Sequence, residues 1–111
     1  MKKLLAIVAT AAMAAGIAIP AHAAITKNVR VDDDYFVRVG PKPTVTVRKN
    51  DTVKWNWRGD VIHNVVVTKG PVKFRSKTIV KGSYSRKMTL RGTYQIVCTI
   101  HSGMEMKLVV K

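Results

Sequence analysis

From Ala24 onward the chain alternates. Thr44-Val45-Thr46-Val47-Arg48, Thr52-Val53-Lys54-Trp55 and Met106-Lys107-Leu108-Val109-Val110 set apolar side chains against polar or β-branched neighbours with a period of two. That is the signature of a strand with one face in a core. Further strands are predicted over residues 29–31, 35–39, 61–68, 77–80, 83–90 and 93–99. The breaks fall at Gly40-Pro41, Asn50-Asp51, Gly59-Asp60, Gly70-Pro71, Gly82 and Gly92, the residues that turns require. About eight short strands at regular spacing predict a single all-β sandwich or barrel. No segment has the length and 3.6-residue periodicity of a solid amphipathic helix, and neither a repeat nor a linker is present.

The first residues follow a different rule. Lys2 and Lys3 precede an apolar stretch over residues 4–19, followed by Pro20 and Ala21-His22-Ala23. A basic start, an apolar centre and an Ala-x-Ala end make a secretory signal peptide, with cleavage expected after Ala23. The apolar stretch is shorter than the ~20 residues a spanning helix needs, so no stable membrane insertion is expected. The expected organisation is therefore a signal peptide over 1–23 and one domain over 24–111, exported to the periplasm.

Composition sharpens the picture. The 111 residues include 20 Lys or Arg and only 6 Asp or Glu. The expected signal peptide carries two of those bases and no acid, leaving a domain of net charge +12. No Asp or Glu occurs between Asp60 and Glu105, whereas Lys69, Lys73, Arg75, Lys77, Lys81, Arg86, Lys87 and Arg91 all do. One side of the domain is expected to be cationic and to steer acidic partners. Nucleic acid is not the expected partner, because the chain is exported and its basic run has few interleaved aromatics.

An exported domain of this size commonly needs disulfides or a metal to supplement its core. Cys98 is the one cysteine of the chain, which excludes an internal disulfide. With His22 in the signal peptide, the domain keeps His63 and His101 as its histidines. Two imidazoles, one thiolate and a weak axial thioether make up the environment of a blue-copper electron-transfer centre. Cys98-Thr99-Ile100-His101-Ser102-Gly103-Met104 gathers three of these donor types at one strand end, and His63 lies 35 residues upstream. Met106 is a rival to Met104 for the axial position. Met104 is preferred, because Met106 shares a strand face with Leu108 and Val110 and reads more simply as core.

These residues resemble the plastocyanin and amicyanin group of cupredoxins, and amicyanin-type sequences most closely. The resemblance runs from about Thr44 to the end of the chain. It rests on Thr44 to Trp55, His63-Asn64-Val65, Gly92-Thr93-Tyr94 leading to Cys98, and Lys107-Leu108-Val109-Val110. Two residues between Cys98 and His101 and two between His101 and Met104 are similar to the short ligand loop of amicyanin. The resemblance implies a cupredoxin-like Greek-key β-sandwich of about eight strands that holds one copper ion, Cu(II) or Cu(I), near one end. It also implies that Asn64 ties the two ligand loops together, and that the ring edge of His101 reaches the surface through an apolar patch. Ile100 and Met104 are expected to line that patch. Ile100 stands where the group has a proline, and Asn50 where it commonly has a turn glycine, a position asking for a left-handed backbone.

The expected function is a type 1 copper protein that shuttles single electrons between redox partners with acidic docking surfaces. It is expected to be monomeric and not an enzyme. A periplasmic copper-binding or delivery protein without fast electron transfer uses the same ligands and is the alternative. A Cys/His nucleophile is disfavoured, since no orienting acid and no substrate cleft accompany the pair. Trp55, Trp57, Phe74 and Tyr94 are expected in the core or at its rim.

Overall fold

A computed structural model describes residues 22–111, so the expected signal peptide lies outside the described residues except for His22 and Ala23. Eight strands follow in order: β1 (Thr26–Asp32), β2 (Tyr35–Phe36), β3 (Thr44–Val47), β4 (Thr52–Trp57), β5 (Val66–Lys69), β6 (Gly82–Lys87), β7 (Gly92–Val97) and β8 (Glu105–Val110). They form two four-stranded sheets with orders β2-β1-β4-β6 and β3-β8-β7-β5. In each sheet one pair is parallel, the central pair β1 with β4 in the first and the edge strand β3 with β8 in the second. No helix among the described residues is long and apolar enough to cross a membrane. The fold is the expected all-β sandwich.

The period-two pattern becomes the core. β4 and β8 bury every second residue: Val53, Trp55 and Trp57 on one sheet, Met106, Leu108 and Val110 on the other. Val29, Val31, Val45, Val47, Tyr94 and Ile96 complete the facing layers. All four aromatics expected in the core or at its rim are buried, and Phe74 lies within about 6 Å of the Trp55, Tyr84 and Tyr94 rings, centroid to centroid. β6 is an edge strand whose Arg86 covers the core, its guanidinium 4.6 Å from the centre of the Phe74 ring.

Three strand expectations are corrected. The strand expected over 35–39 stops at Phe36, because Val37 takes a positive φ of 68° and turns the backbone away. The stretch 61–68 is strand only from Val66, since Val61 and Ile62 belong to an exposed bend that delivers His63. Residues 77–80 form no strand but make one isolated bridge, Ile79 to His63, outside both sheets. The expected left-handed residue is found where anticipated: Asn50 has φ 78°, in the turn joining β3 to β4. Asp51 closes that turn, its buried carboxylate accepting from the Arg48 amide at 2.9 Å and the Ile25 amide at 3.0 Å.

Candidate metal centre

His63, Cys98 and His101 meet at one end of the sandwich, delivered by two separate stretches of chain. The first leaves β4 through the bend at residues 58–62. There the backbone of His63 is gripped on both sides: its amide donates to the Ile79 carbonyl at 3.0 Å and its carbonyl accepts from the Ile79 amide at 3.1 Å. The same carbonyl accepts from the indole Nε1 of Trp57 at 3.1 Å. His63 is fully buried, and its backbone is fixed independently of its ring.

The second stretch is the tight connection between β7 and β8. Cys98 follows directly on β7, and its amide donates to the Met104 carbonyl at 2.9 Å. The Met104 amide donates to the His101 carbonyl at 3.2 Å, and Gly103 takes the positive φ of 82° that lets so short a loop close. Cys98 and Met104 are buried, whereas His101 is partly exposed. Met104 is therefore corrected as a surface residue: it points inward, and Ile100, 45% exposed, is the member of the expected pair that reaches solvent. Met106 lies one step deeper, paired across the sheet with Ile96 in the core.

Asn64 joins the two stretches as expected. Its Nδ2 donates to Thr99 Oγ1 at 2.8 Å and to Thr78 Oγ1 at 3.1 Å, and its Oδ1 accepts from the Thr99 amide at 2.9 Å. Asn64 itself is buried while Thr78 and Thr99 are exposed, so the bonds anchor two surface residues to a buried side-chain amide.

The donor atoms converge. Cys98 Sγ lies 3.6 Å from His101 Nδ1 and 3.9 Å from His63 Nδ1, and the two imidazole rings are 4.7 Å apart between centroids. Among the described residues this is the cluster whose donors could hold a metal, each within 4.8 Å of the others. Nitrogen and sulfur donors at ~2.0 and ~2.3 Å from a shared ion, in a trigonal arrangement, stand about 3.8 Å apart. The observed separations match that requirement. Thiolate with two imidazoles is a soft, mixed set that suits copper in both oxidation states.

One contact was not foreseen from the sequence. The far nitrogen of His63, Nε2, donates to Asp33 Oδ1 at 2.9 Å, with the proton placed there by the carboxylate and Nδ1 left free to face Cys98. Hydrogen bonds from His63 and from the Asp60 and Val61 amides hold the Asp33 carboxyl below the ordinary aspartate range. The sequence marks the place only as the triplet Asp32-Asp33-Asp34, half of all the acids in a basic chain, without singling out Asp33.

Comparisons with known proteins agree with this chemistry. The profile of the copper-binding proteins of the plastocyanin/azurin family matches residues 26–111. A sequence search among curated proteins finds no match. Among solved structures, the fold is similar to an oxidised mutant of amicyanin with 28% identity and a TM-score of 0.65, covering 77% of this chain and 81% of that one. It is also similar to the Cu(I) form of a methionine-to-alanine mutant of amicyanin, with 30% identity, a TM-score of 0.64 and 83% and 86% coverage. A reduced tryptophan-to-tyrosine mutant of amicyanin matches with 28% identity, a TM-score of 0.64 and 90% and 88% coverage. A profile match across nearly the whole sandwich and a His-Cys-His cluster at its end lead to one conclusion: the chain belongs to the plastocyanin/azurin family of copper-binding electron-transfer proteins, with one copper ion as its cofactor.

Proposed function

We propose that this protein is an exported type 1 copper protein that passes single electrons between redox partners in the periplasm. His63, Cys98 and His101 would hold the copper through Nδ1, Sγ and Nδ1, with Met104 as the weaker thioether ligand. The observation that carries this reading is the convergence of both imidazole Nδ1 atoms on one buried sulfur. Met104 is favoured over Met106 because its backbone closes the loop between Cys98 and His101, while Met106 belongs to the core face of β8.

Bound copper supplies the one-electron couple. The chain supplies rigidity: His63 is clamped by Ile79 and Trp57, and Asn64 fastens the His63 stretch to the Cys98 loop. Donors that cannot relax keep the rearrangement on gaining or losing an electron small. Burial of His63, Cys98 and Met104 keeps water off the sulfur, and the partly exposed His101 ring is the route by which an electron leaves. The chain holds the ion and carries out no bond-making chemistry of its own.

The exposed bases Lys69, Lys73, Arg75, Lys77, Lys81, Lys87 and Arg91 support an acidic docking partner and a monomer that repels its own copies. The basic start and apolar stretch before Ala23 support export, with the working domain over residues 24–111. The deciding experiment is the visible spectrum of the purified domain loaded with Cu(II). An intense thiolate-to-copper band that disappears in Cys98→Ser is expected. Copper uptake without that band would instead favour a copper-delivery role, and no uptake at all would overturn the ligand assignment.

A further inference from the structure

Three acids lie together at the β1–β2 turn, and one of them, Asp33, reaches the metal cluster while its carboxylate stays partly open to solvent. Asp32 accepts from Arg30 Nε at 2.6 Å on the surface and from the Tyr35 hydroxyl at 3.2 Å in a partly buried contact. Asp33 reaches across to the end of the other chain stretch and accepts from His63 Nε2. Its two oxygens are aimed by main chain: the Asp60 amide donates to Oδ1 at 3.1 Å and Oδ2 at 3.2 Å, and the Val61 amide to Oδ1 at 3.3 Å. Gly59 makes room for it. A Cβ at position 59 would stand 2.1 Å from Asp33 Oδ1, so the carboxylate fits only against a residue without a side chain. Three fixed donors and a dedicated glycine are more than a surface turn needs.

A carboxylate bonded to the far nitrogen of a ligand imidazole fixes the ring and makes its other nitrogen a better electron donor. It also places one negative charge close to the metal, in a domain that otherwise carries a large excess of positive charge. Both effects favour the more highly charged oxidation state. We infer that Asp33 is a positioning residue that acts through His63 to bias the site toward Cu(II) and so lowers the reduction potential of the protein. This inference rests on His63 being a copper ligand, as proposed above.

The test is Asp33→Asn in the copper-loaded protein. Asparagine keeps an oxygen for the His63, Asp60 and Val61 donors and removes the charge. The ratio of Cu(II) to Cu(I) affinity is expected to fall about tenfold, a rise in potential of ~59 mV for a one-electron couple, with the visible band retained. An unchanged or lower potential with the band intact overturns the role of Asp33 and leaves the copper centre standing. A wild-type protein without the band overturns the copper centre itself. Should Asp33→Asn fail to fold, proton NMR of the wild-type Cu(I) form carries the test. A slowly exchanging His63 Nε2–H is expected, and a rapidly exchanging one overturns the inference.

Discussion

Asn64 and Thr99 are joined twice, side chain to side chain at 2.8 Å and Thr99 amide to Asn64 Oδ1 at 2.9 Å, so that one buried amide bridges residues 35 positions apart. The bridge holds the His63 stretch against the Cys98 loop. Asn64→Ala is expected to destabilise the domain by about 1–2 kcal/mol, since it removes the bonds to Thr99 and Thr78, and to weaken copper binding about tenfold. Urea unfolding of the copper-free form and a competitive chelator titration measure the two effects. A variant with wild-type stability and affinity would show that the bridge is incidental.

Gly59→Ala probes the packing of Asp33. The added methyl group collides with a carboxylate pinned by main-chain donors, so one side must move. A loss of about 1–3 kcal/mol is expected, the usual result of overpacking. Unfolding in denaturant checks it, and an unchanged midpoint would mean that the turn yields freely.

Acid should unfold the copper-free domain. Hydrogen bonds from the Ile25 and Arg48 amides hold Asp51 below its ordinary range, and the Asp33 amide followed by Arg30 does the same for Asp32. A carboxyl lowered in the folded state contributes stability that is complete above its unfolded value, about pH 4. That contribution is lost as pH falls through the folded value. Melting temperature should therefore be insensitive to carboxylate titration near neutrality and drop below about pH 4. The drop should be shallower in Asp51→Asn. His22 also contacts Asp51 at 3.2 Å, but the amide bonds from Ile25 and Arg48 remain in a chain beginning at Ala24, which should show the same acid profile.

Salt should slow partner encounter. If the bases along residues 69–91 steer an acidic protein, the association rate should fall at least ~10-fold between low and high ionic strength, as steering weakens with screening. Stopped-flow mixing with an acidic redox protein measures it. A rate independent of salt would remove charge steering from the account.

Copper should stabilise the fold, because the ligand cluster is assembled only in the folded chain. At a thousandfold excess over the dissociation constant the gain is ~4 kcal/mol. Melting of loaded and chelator-stripped protein checks this, and equal melting temperatures would argue that the metal binds the unfolded chain as well.

The strands with strict alternation, β3, β4 and β8, were legible because each has one face in water and one in the core. Residues 61–65 were not, since Val61 and Ile62 look like strand but are exposed in a bend shaped by Asp33 and the Asp60 amide. The approach of Cys98 to His101 was legible because it is local, and that of His63 because the domain offers so few histidines. Asp33 was invisible for the opposite reason. Its meaning lies in a contact across 30 residues, and nothing in the local pattern sets it apart from Asp32 or Asp34.

β8 sits between β3 and β7, and the register that pairs Thr44 with Lys107 has a consequence for the order of assembly. A chain threaded into a new compartment from its first residue onward leaves β3 without its partner until Glu105–Val110 has emerged. His63 emerges well before Cys98 and His101, which appear only just ahead of β8. Such non-local pairing makes sheet closure a late and comparatively slow event. For a chain that is exported, as proposed above, and arrives unfolded, all three donors would come together only once the sandwich has closed.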